Sequence, residues 1–493
     1  MCWFFELALE LAPELAIQLL EMQVNSNDPR HSDLHKLIKK HYRQVTKDKS
    51  LEGKPLPFHI QREFERYLSC GVHAHGMVRF QCGVCSKDKF VAYSCKGRTI
   101  CPRCNGRKMA DTAKHLVEEV IPEVPVRQWV LSMPYKHRFI LSSDQKLLNT
   151  VLKIFNRMIS THYKKKAKSK GFVLPQVGSV TAIQRFGGSV NLNIHFHTLF
   201  MDGVFVTNSQ GTQRFVELIT TDEEIKKLTL TIHNRVNRAF EKKGYFDDDP
   251  IEVQGELALI KSQSVANQVD NYKYPEKIGK YWNPPFVEFE GSKCFSVEGF
   301  SLHANTKIRK ENRSGLEKLC RYICRGALSK ERISLDENGM VVLKLKSSYT
   351  DGTTHLKFTP QAFIKRIISL IPKPRTKMVR YHGVFAPRHK KREEITSLAK
   401  PKKVGKDTKI KKIYQTPWAD LLKRVFLEEV DNCDSCGNKL KYVASITSPI
   451  ACRRILDHLK VDQVLIEAAP TRGSPMEGIL SPEYDNFDQT ASW

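Results

Sequence analysis

Two histidines stand one residue apart in the stretch "NLNIHFHTLFMDG". Alternating apolar and polar residues are typical of a β-strand, and here they place Asn193, His195 and His197 on one face. Two imidazoles at this spacing can both reach one metal ion, and an open metal site that activates a phosphate needs few protein ligands. A single His-x-His is more often a structural or surface pair. The apolar flanks, the basic composition and a nearby third ligand favour a metal site here.

The third ligand comes from the preceding segment, "TAIQRFGGSV". Gly187 and Gly188 predict a turn that joins residues 177–186 and 190–200 in a β-hairpin. A four-residue loop would place Gln184 opposite Asn193, on the histidine face. A two-residue loop would keep Gln184 on that face but farther from the histidines. In either case Gln184 is the expected third ligand.

A nucleophile can be sought in "SGLEKLCRYICRGALSKERI", which predicts an amphipathic helix. Ser314 and Glu317 have the spacing of a capping box, and Gly326 is a natural C-terminal stop. The apolar stripe of this helix consists of Leu316, Leu319, Cys320 and Ile323.

Tyr322 falls outside that stripe, between Lys318 and Arg325. A tyrosine beside two cations is suited to attack a phosphate, because the cations stabilise both the phenolate and the charge of the transition state. The chain has 15 tyrosines, so on the helix pattern alone ordinary amphipathic packing is the better explanation for any one of them.

The cysteines indicate structural zinc. Cys82-x2-Cys85 and Cys101-x2-Cys104 are separated by 15 residues, which is typical of a closed four-cysteine zinc ribbon. Three nearby residues are candidates for a second zinc ion: Cys70, His75 and Cys95. In the tail, the pair Cys433-x2-Cys436 has no obvious partner pair and is assigned no metal. A zinc deaminase is excluded, because "HFHT" lacks the glutamate that such enzymes place two residues after the histidine.

The composition points to a polyanionic partner. Lysine and arginine exceed aspartate and glutamate by 80 to 53, and the pI is about 9.5. DNA contacts are expected from the basic residues of the ribbon, Lys96, Arg98, Arg103, Arg107 and Lys108. No apolar run approaches the length of about 18 residues that a membrane span needs. With no signal-peptide pattern at residue 1, the expected location is the cytoplasm.

Several stretches resemble the transposases of the insertion-sequence 91 family and their common-region relatives. In order they include "CGVCSKDKFVAYSCKGRTICPRCNGRKMADTAKHLVEEVIPEVPVRQWVLSMP", "QRFGGSVNLNIHFHTLFMDGV", "LEKLCRYICRGALSKERI" and "VRYHGVFAP". Such enzymes are similar to the rolling-circle replication initiators and relaxases of the HUH endonuclease superfamily. The resemblance extends from about Cys70 to Pro387 and returns at "WADLLKRVF".

The resemblance implies a catalytic chemistry. His195 and His197 would ligate Mg2+ or Mn2+, and Tyr322 would attack a phosphate of single-stranded DNA at the element ends and target. The products would be a 5′-phosphotyrosine and a free 3′-OH, as in rolling-circle-type transposition. The founding branch has two tyrosines four residues apart, whereas Lys318 and Gly326 occupy those positions here. The resemblance is therefore to a single-tyrosine branch, and a second nucleophile would come from the other subunit of a homodimer, from water or from a 3′-OH.

The predicted fold class is α+β: a helical and zinc-ribbon module, then an HUH domain whose central antiparallel sheet is flanked by helices. The predicted segments are an N-terminal helical region 1–66, the zinc-binding ribbon 67–125, the catalytic domain 126–389, a basic linker 390–414, a small C-terminal helix and ribbon domain 415–470 and a disordered tail 471–493. As a bacterial transposase the protein is expected to associate with the nucleoid.

Three alternatives remain at this stage. A plasmid replication initiator or relaxase would use the same chemistry, although the ribbon directly before the catalytic domain argues against it. A non-catalytic zinc-ribbon DNA-binding protein would not need Tyr322. An RNA-binding ribbon protein would show no preference for DNA.

Overall fold

The structure is a computed structural model that describes residues 32–47, 56–245, 251–252, 256–266, 277–278, 292–349, 351–399 and 432–458. The predictions for residues 1–31, for most of the basic linker and for the tail 471–493 lie outside these residues. Within them the chain combines helices with antiparallel sheets, which confirms the α+β class. No described helix has the length and apolar character needed to cross a membrane.

The secondary structure alternates between helices and strands along the chain. The described helices are α1 Asp33–Lys47, α2 Phe58–Leu68, α3 Pro102–His115, α4 Tyr135–Ser143, α5 Gln145–Ser169, α6 Asp222–Glu241, α7 Glu256–Ala266, α8 Arg313–Cys324, α9 Pro360–Leu370, α10 Arg392–Ser397 and α11 Pro449–His458. The described strands are β1 Met77–Cys82, β2 Asp88–Ala92, β3 Val126–Ser132, β4 Gly178–Phe186, β5 Leu192–Met201, β6 Gly203–Thr207, β7 Gln213–Glu217, β8 Ile251–Glu252, β9 Lys277–Ile278, β10 Cys294–Val297, β11 Phe300–His303, β12 Lys307–Ile308, β13 Ile333–Leu335, β14 Val341–Lys344, β15 His355–Phe358, β16 Val379–Gly383 and β17 Leu440–Ile446.

A seven-stranded antiparallel sheet forms the centre of the molecule. Its order is β10-β11-β3-β5-β4-β16, and β12 also pairs with β3. On one face of β5, Phe196 and Phe200 pack with Phe155 and Tyr163 of α5. The other face of the sheet carries the histidines and packs against α8. The alternation in the sequence therefore assigned the two faces of β5 correctly.

The β4–β5 hairpin differs from both predicted registers, because Gln184 lies directly opposite His195. Phe186 pairs with Leu192, and the register shifts between Gln184 and Phe186. Such a bulge inserts an extra residue on one strand and moves the pairing beyond it. The shift brings Gln184 closer to the histidine pair than either predicted loop would.

Helix α8 has the predicted buried stripe and stops just before Gly326, but its N-terminal cap differs from the predicted one. Leu316, Leu319, Cys320 and Ile323 are buried. The N-cap is Asn312, whose Oδ1 accepts from the Gly315 N–H at 2.8 Å, so the predicted Ser314–Glu317 capping box is wrong. The helix ends at Cys324, and a Cβ at Gly326 would lie 2.8 Å from Nδ2 of Asn105 in α3. Glycine is thus required there for close packing of the chain against α3.

A buried carboxylate fixes the far end of β5. Asp202 is fully buried and accepts from Arg127 Nε and Nη2, both at 2.9 Å, and from the Tyr163 hydroxyl at 2.8 Å. These bonds connect β3, β5 and α5. Removing one partner of a buried ion pair typically costs about 3–5 kcal/mol, because the other charge is left uncompensated.

The described tail packs onto the zinc-binding region. β17 pairs with β1 from Met77–Ile446 to Cys82–Leu440, giving a three-stranded sheet in the order β17-β1-β2. Cys452 and Leu456 of α11 pack against Met77 on one face of this sheet. A ribbon from the N-terminal half and a strand from the C-terminal end therefore form one unit.

Candidate functional site

The two histidines of β5 lie side by side, with ring centroids 4.8 Å apart. The Nδ1 of His195 donates to the carbonyl oxygen of Asn193 at 3.0 Å, because a carbonyl can only accept. The Nδ1 of His197 lies 2.6 Å from the side-chain amide of Gln128. A half-turn of that amide lets its oxygen accept an Nδ1 proton. In that arrangement both rings offer the lone pair of Nε2 to a cation.

Three polar atoms near the rings are buried and have no hydrogen-bond partner within the described structure. They are Nε2 of His197, Oε1 of Gln184 and Oδ1 of Asn193. The Gln184 amide nitrogen donates to the carbonyls of Tyr322 at 3.1 Å and Ile323 at 2.9 Å, which turns Oε1 away from them. Buried polar atoms normally have partners. This donor set of imidazole nitrogens and an amide oxygen fits a divalent cation.

Both imidazoles are neutral at physiological pH. Burial lowers the pKa of His195 to about 4. Burial, and then the neighbouring His195 and Arg325, lower the pKa of His197 to about 3. The neutral ring is the form that binds metal ions.

Tyr322 stands at the edge of this site and is 44% exposed. Its ring centroid is 5.6 Å from that of His197, with the two planes at 86°. The Arg325 guanidinium lies 4.7 Å from the Tyr322 ring centroid, and the Lys346 ammonium lies 5.7 Å from it. Lys318 is exposed on α8, one turn before Tyr322.

Sequence reasoning missed Lys346 and Gln128. Lys346 follows β14 in a three-stranded sheet inserted after α8, so helix periodicity gave no sign of it. Gln128 lies on β3, next to β5 in the sheet. Val130 pairs with His197, so these two residues lie on the same face of the sheet. Gln128 is two residues from Val130 on the same strand and therefore also lies on the histidine face. The alternation of β3 could have identified this face only if its pairing with β5 were known.

Eight of the cysteines that the structure describes form two groups of four, in each of which the sulfur atoms lie within 4.8 Å of one another. We call the first group the ribbon site: Cys70, Cys95, Cys101 and Cys104, all buried. Its Sγ–Sγ distances include 3.6 Å from Cys70 to Cys101 and 3.4 Å from Cys95 to Cys104. Four converging cysteines with no other ligand are typical of a closed structural zinc site.

The second group, the tail site, consists of Cys82, Cys85, Cys433 and Cys436. The Sγ atoms of Cys82 and Cys436 are 3.4 Å apart, and those of Cys85 and Cys433 are 3.5 Å apart. Lys89 forms an ion pair with Asp434 at 2.8 Å. Each knuckle here comes from a different end of the chain, and together the two knuckles offer the same set of four cysteine ligands for structural zinc as the ribbon site.

The predicted grouping of zinc ligands is therefore wrong. The pairs Cys82/Cys85 and Cys101/Cys104 belong to different sites. Cys70 and Cys95, predicted for a second ion, complete the ribbon site, whereas His75 belongs to neither group. The tail pair, which was assigned no metal, completes the other site. Spacing identifies a knuckle, but only tertiary pairing decides which two knuckles meet.

The basic residues predicted to contact DNA differ in how far they are exposed to solvent. Lys96, Arg98 and Lys108 are exposed, whereas Arg103 and Arg107 are partly buried. Arg107 donates to the Ser94 hydroxyl at 3.1 Å, and Arg98 donates to the Thr376 carbonyl at 3.2 Å. Arg98 therefore links the zinc-binding region to the segment before β16, and the DNA contacts stay predictions.

Comparison with protein families matches two parts of the chain. A model described as "Putative transposase" matches residues 178–393, which include β4, β5 and α8. A model described as "Transposase zinc-binding domain" matches residues 37–133, which include the ribbon site. No curated protein and no solved structure matches the chain significantly.

These matches and the cysteine sites define a transposase with an N-terminal zinc-binding domain. As a transposase it is a DNA-binding enzyme that cleaves and transfers strands. The zinc-binding model is that of the insertion-sequence 91 transposases, so over these two parts the chain is similar to that family.

Proposed function

We propose that this transposase cleaves and rejoins single-stranded DNA by attack of Tyr322 on a phosphodiester, in an HUH-type catalytic domain. The observation that carries the proposal is the convergence of two neutral imidazoles and the Gln184 amide oxygen beside an exposed tyrosine, with His197 and Tyr322 rings 5.6 Å apart. A metal site and a nucleophile are the two parts that this reaction requires.

His195, His197 and Gln184 would hold Mg2+ or Mn2+, and the unpartnered buried atoms of His197 and Gln184 support this role. A bound ion would supply Lewis acidity to the scissile phosphate. Metals of this kind prefer oxygen ligands, and the two imidazoles are better suited to Mn2+ than to Mg2+. We therefore expect stronger activity with Mn2+.

The chain's own residues would act on the nucleophile. The Tyr322 oxygen forms a bond to phosphorus as the bond from phosphorus to the 3′ oxygen breaks. The phenol loses a proton and the leaving 3′ oxygen gains one, so the products are a 5′-phosphotyrosine and a 3′-OH. Arg325 and Lys346 are the two cations near the Tyr322 ring, and they would stabilise the phenolate and the charge of the phosphorane. The reverse attack by a 3′-OH rejoins the strand.

The test is a search for a denaturation-resistant protein–DNA adduct. The full-length protein is incubated with Mn2+ and labelled single-stranded DNA from the flanks of its own gene. Tyr322→Phe and the double variant His195→Ala/His197→Ala are run beside it. Tyr349→Phe is the matched control, because Tyr349 is a second exposed tyrosine (39%) near the same inserted sheet.

We expect an adduct with the unaltered protein and with Tyr349→Phe, and none with the other two variants. An adduct that persists in Tyr322→Phe would assign the nucleophile elsewhere. If the unaltered protein binds these DNA ends tightly but forms no adduct, the chain is a non-catalytic DNA-binding protein.

A further inference from the structure

A cluster of basic side chains lies on the opposite face of β4 from Gln184. We call it the basic pocket, and its members come from four separate segments: His59 of α2, Arg185 of β4, Lys261 of α7 and Lys373 after α9. Arg185 is 6% exposed and Lys261 is 4% exposed. Long cationic side chains are rarely buried this completely unless they are paired.

The protein groups that hold these cations are mainly helix ends. The Lys261 ammonium donates to the Ser142 carbonyl at 3.2 Å and to the Ser143 hydroxyl at 3.0 Å. Lys373 donates to the Ser143 carbonyl at 2.7 Å, so both lysines meet at the last residues of α4. Arg185 donates through Nε to the carbonyl of Leu370, the last residue of α9, at 3.1 Å.

These partners leave most of the positive charge uncompensated. A helix C-terminus carries only about half a negative charge. Among the described residues, no carboxylate hydrogen-bonds Arg185, Lys261 or Lys373. The nearby Glu63 carboxylate interacts electrostatically with His59. Its Oε1 already accepts hydrogen bonds from the backbone N–H groups of Arg98 and Thr99.

Arg185 also has unused donors. Its guanidinium makes one bond, through Nε, and the terminal nitrogens have no partner within the described structure. These terminal nitrogens are accessible to solvent, because they are not among the fully buried polar atoms that lack a partner. Nε of Arg325, by contrast, is one of those atoms. Burial, followed by the charges of Arg185 and Lys373, lowers the pKa of Lys261 to about 7. An anion between these groups would relieve that repulsion.

Phosphate is the anion that this arrangement fits best. A guanidinium offers two parallel N–H donors to two phosphate oxygens, and lysine ammonium groups add point charges to a third. A single carboxylate could not satisfy three cations from separate directions.

We infer that the basic pocket binds a phosphate group of the DNA strand. Arg185 follows Gln184 directly, so the pocket lies at the same end of β4 as the histidine pair but across the sheet. A strand that enters the catalytic site could pass around this end of the sheet. Phosphate binding does not depend on the tyrosine chemistry; only the identity of the strand rests on the proposed function.

The first measurement tests whether the full-length protein binds inorganic phosphate. Binding is detected by broadening of the 31P line, with no divalent metal added. Arg185→Met and Lys373→Met are compared with Lys377→Met, which removes one exposed charge four residues away. Lys373 is exposed, so its variant is expected to fold even if Arg185→Met does not. We expect broadening for the unaltered protein and Lys377→Met, and at least about tenfold weaker binding for the other two.

The second measurement distinguishes a terminal phosphate from an internal phosphodiester. Fluorescence anisotropy is recorded with a short single-stranded oligonucleotide that carries or lacks a 5′-phosphate. If the pocket takes a terminal phosphate, the phosphorylated strand binds tighter and Lys373→Met removes that advantage. If it takes an internal phosphate, Lys373→Met weakens both strands equally, by about tenfold.

The inference is overturned if Lys373→Met and a folded Arg185→Met bind phosphate and both oligonucleotides as Lys377→Met does. The cations would then serve only to cap α4 and α9. Neither measurement detects a covalent adduct. If the protein binds phosphate in the basic pocket but forms no adduct, the proposed function is contradicted and the inference about the pocket is not.

Discussion

The side-chain amide of Gln184 donates to the backbone carbonyl of Tyr322 over 3.1 Å. The same nitrogen also reaches the Ile323 carbonyl at 2.9 Å. One residue of β4 therefore both supports the helix that carries the tyrosine and turns a free oxygen toward the histidine face. The separation between the candidate metal ligands and the candidate nucleophile is set by this contact.

Gln184→Glu should disturb the contact of this residue with the end of α8. The new carboxylate cannot donate to the two carbonyls and repels them, so we expect the free energy of unfolding to fall by about 1–3 kcal/mol. Gln184→Ala should also reduce adduct formation by at least about tenfold, because the helix end and one metal ligand are lost together. Urea denaturation and adduct yield measure the two effects. Unchanged adduct yield in both variants would show that Gln184 has no part in the site.

Lys346 should contribute to the attack by Tyr322. Lys346→Met keeps the aliphatic stem but removes the charge 5.7 Å from the Tyr322 ring centroid. We expect the rate of adduct formation to fall by about tenfold, since the cation stabilises developing negative charge. Lys344→Met is the matched control, because Lys344 is also exposed and lies two residues away. Equal rates for the two variants would argue against a role for Lys346.

Each chain should bind two zinc ions, one in each cysteine group. Cys433→Ser is expected to lower the zinc content by about one ion, and so is Cys104→Ser. Cys294→Ser is a control, because Cys294 is a buried cysteine outside both groups. Metal analysis of the purified variants gives the answer. Full zinc content in Cys433→Ser would mean that the tail pair is not a ligand.

Acid should destabilise the fold through His382. Its Nε2 lies 3.1 Å from the Thr181 hydroxyl, and burial, together with the charge of Arg380, lowers its pKa from 6.5 to about 4. Between these values the unfolded chain binds the proton first, so stability falls as the pH drops from 6.5 toward 4. His382→Gln should remove up to about 1.4 kcal/mol of this loss per pH unit. Urea midpoints at pH 7, 6 and 5 test this, and parallel curves would contradict it.

The parts of the molecule that depend on local periodicity could be predicted from the sequence. Alternation fixed the histidine face of β5, and the apolar stripe of α8 placed Tyr322 outside the core. Both patterns follow from geometry within one element, where neighbouring residues alone decide which side is buried. The position of Gln184 was predicted only to within its face, because the bulge that sets its register is a tertiary feature.

The parts that depend on distant pairing could not be predicted. The knuckle of Cys82 and Cys85 has a nearer partner in sequence than the tail pair, yet the pairing of β17 with β1 brings Cys433 and Cys436 to it. Lys346 contacts the Tyr322 ring although β13 and β14 lie between the two residues in the sequence. Neither contact leaves a periodic trace in the sequence.

The tail site has a consequence for the order in which the protein is made. Cys85 and Cys433 are 348 residues apart, so the ribosome completes the central sheet before it synthesises the last two ligands. A nascent chain must therefore hold Cys82 and Cys85 with their partners still untranslated. Any copy of the gene interrupted by a stop codon within that interval would encode a ribbon that cannot close its second site, whatever the state of its tyrosine.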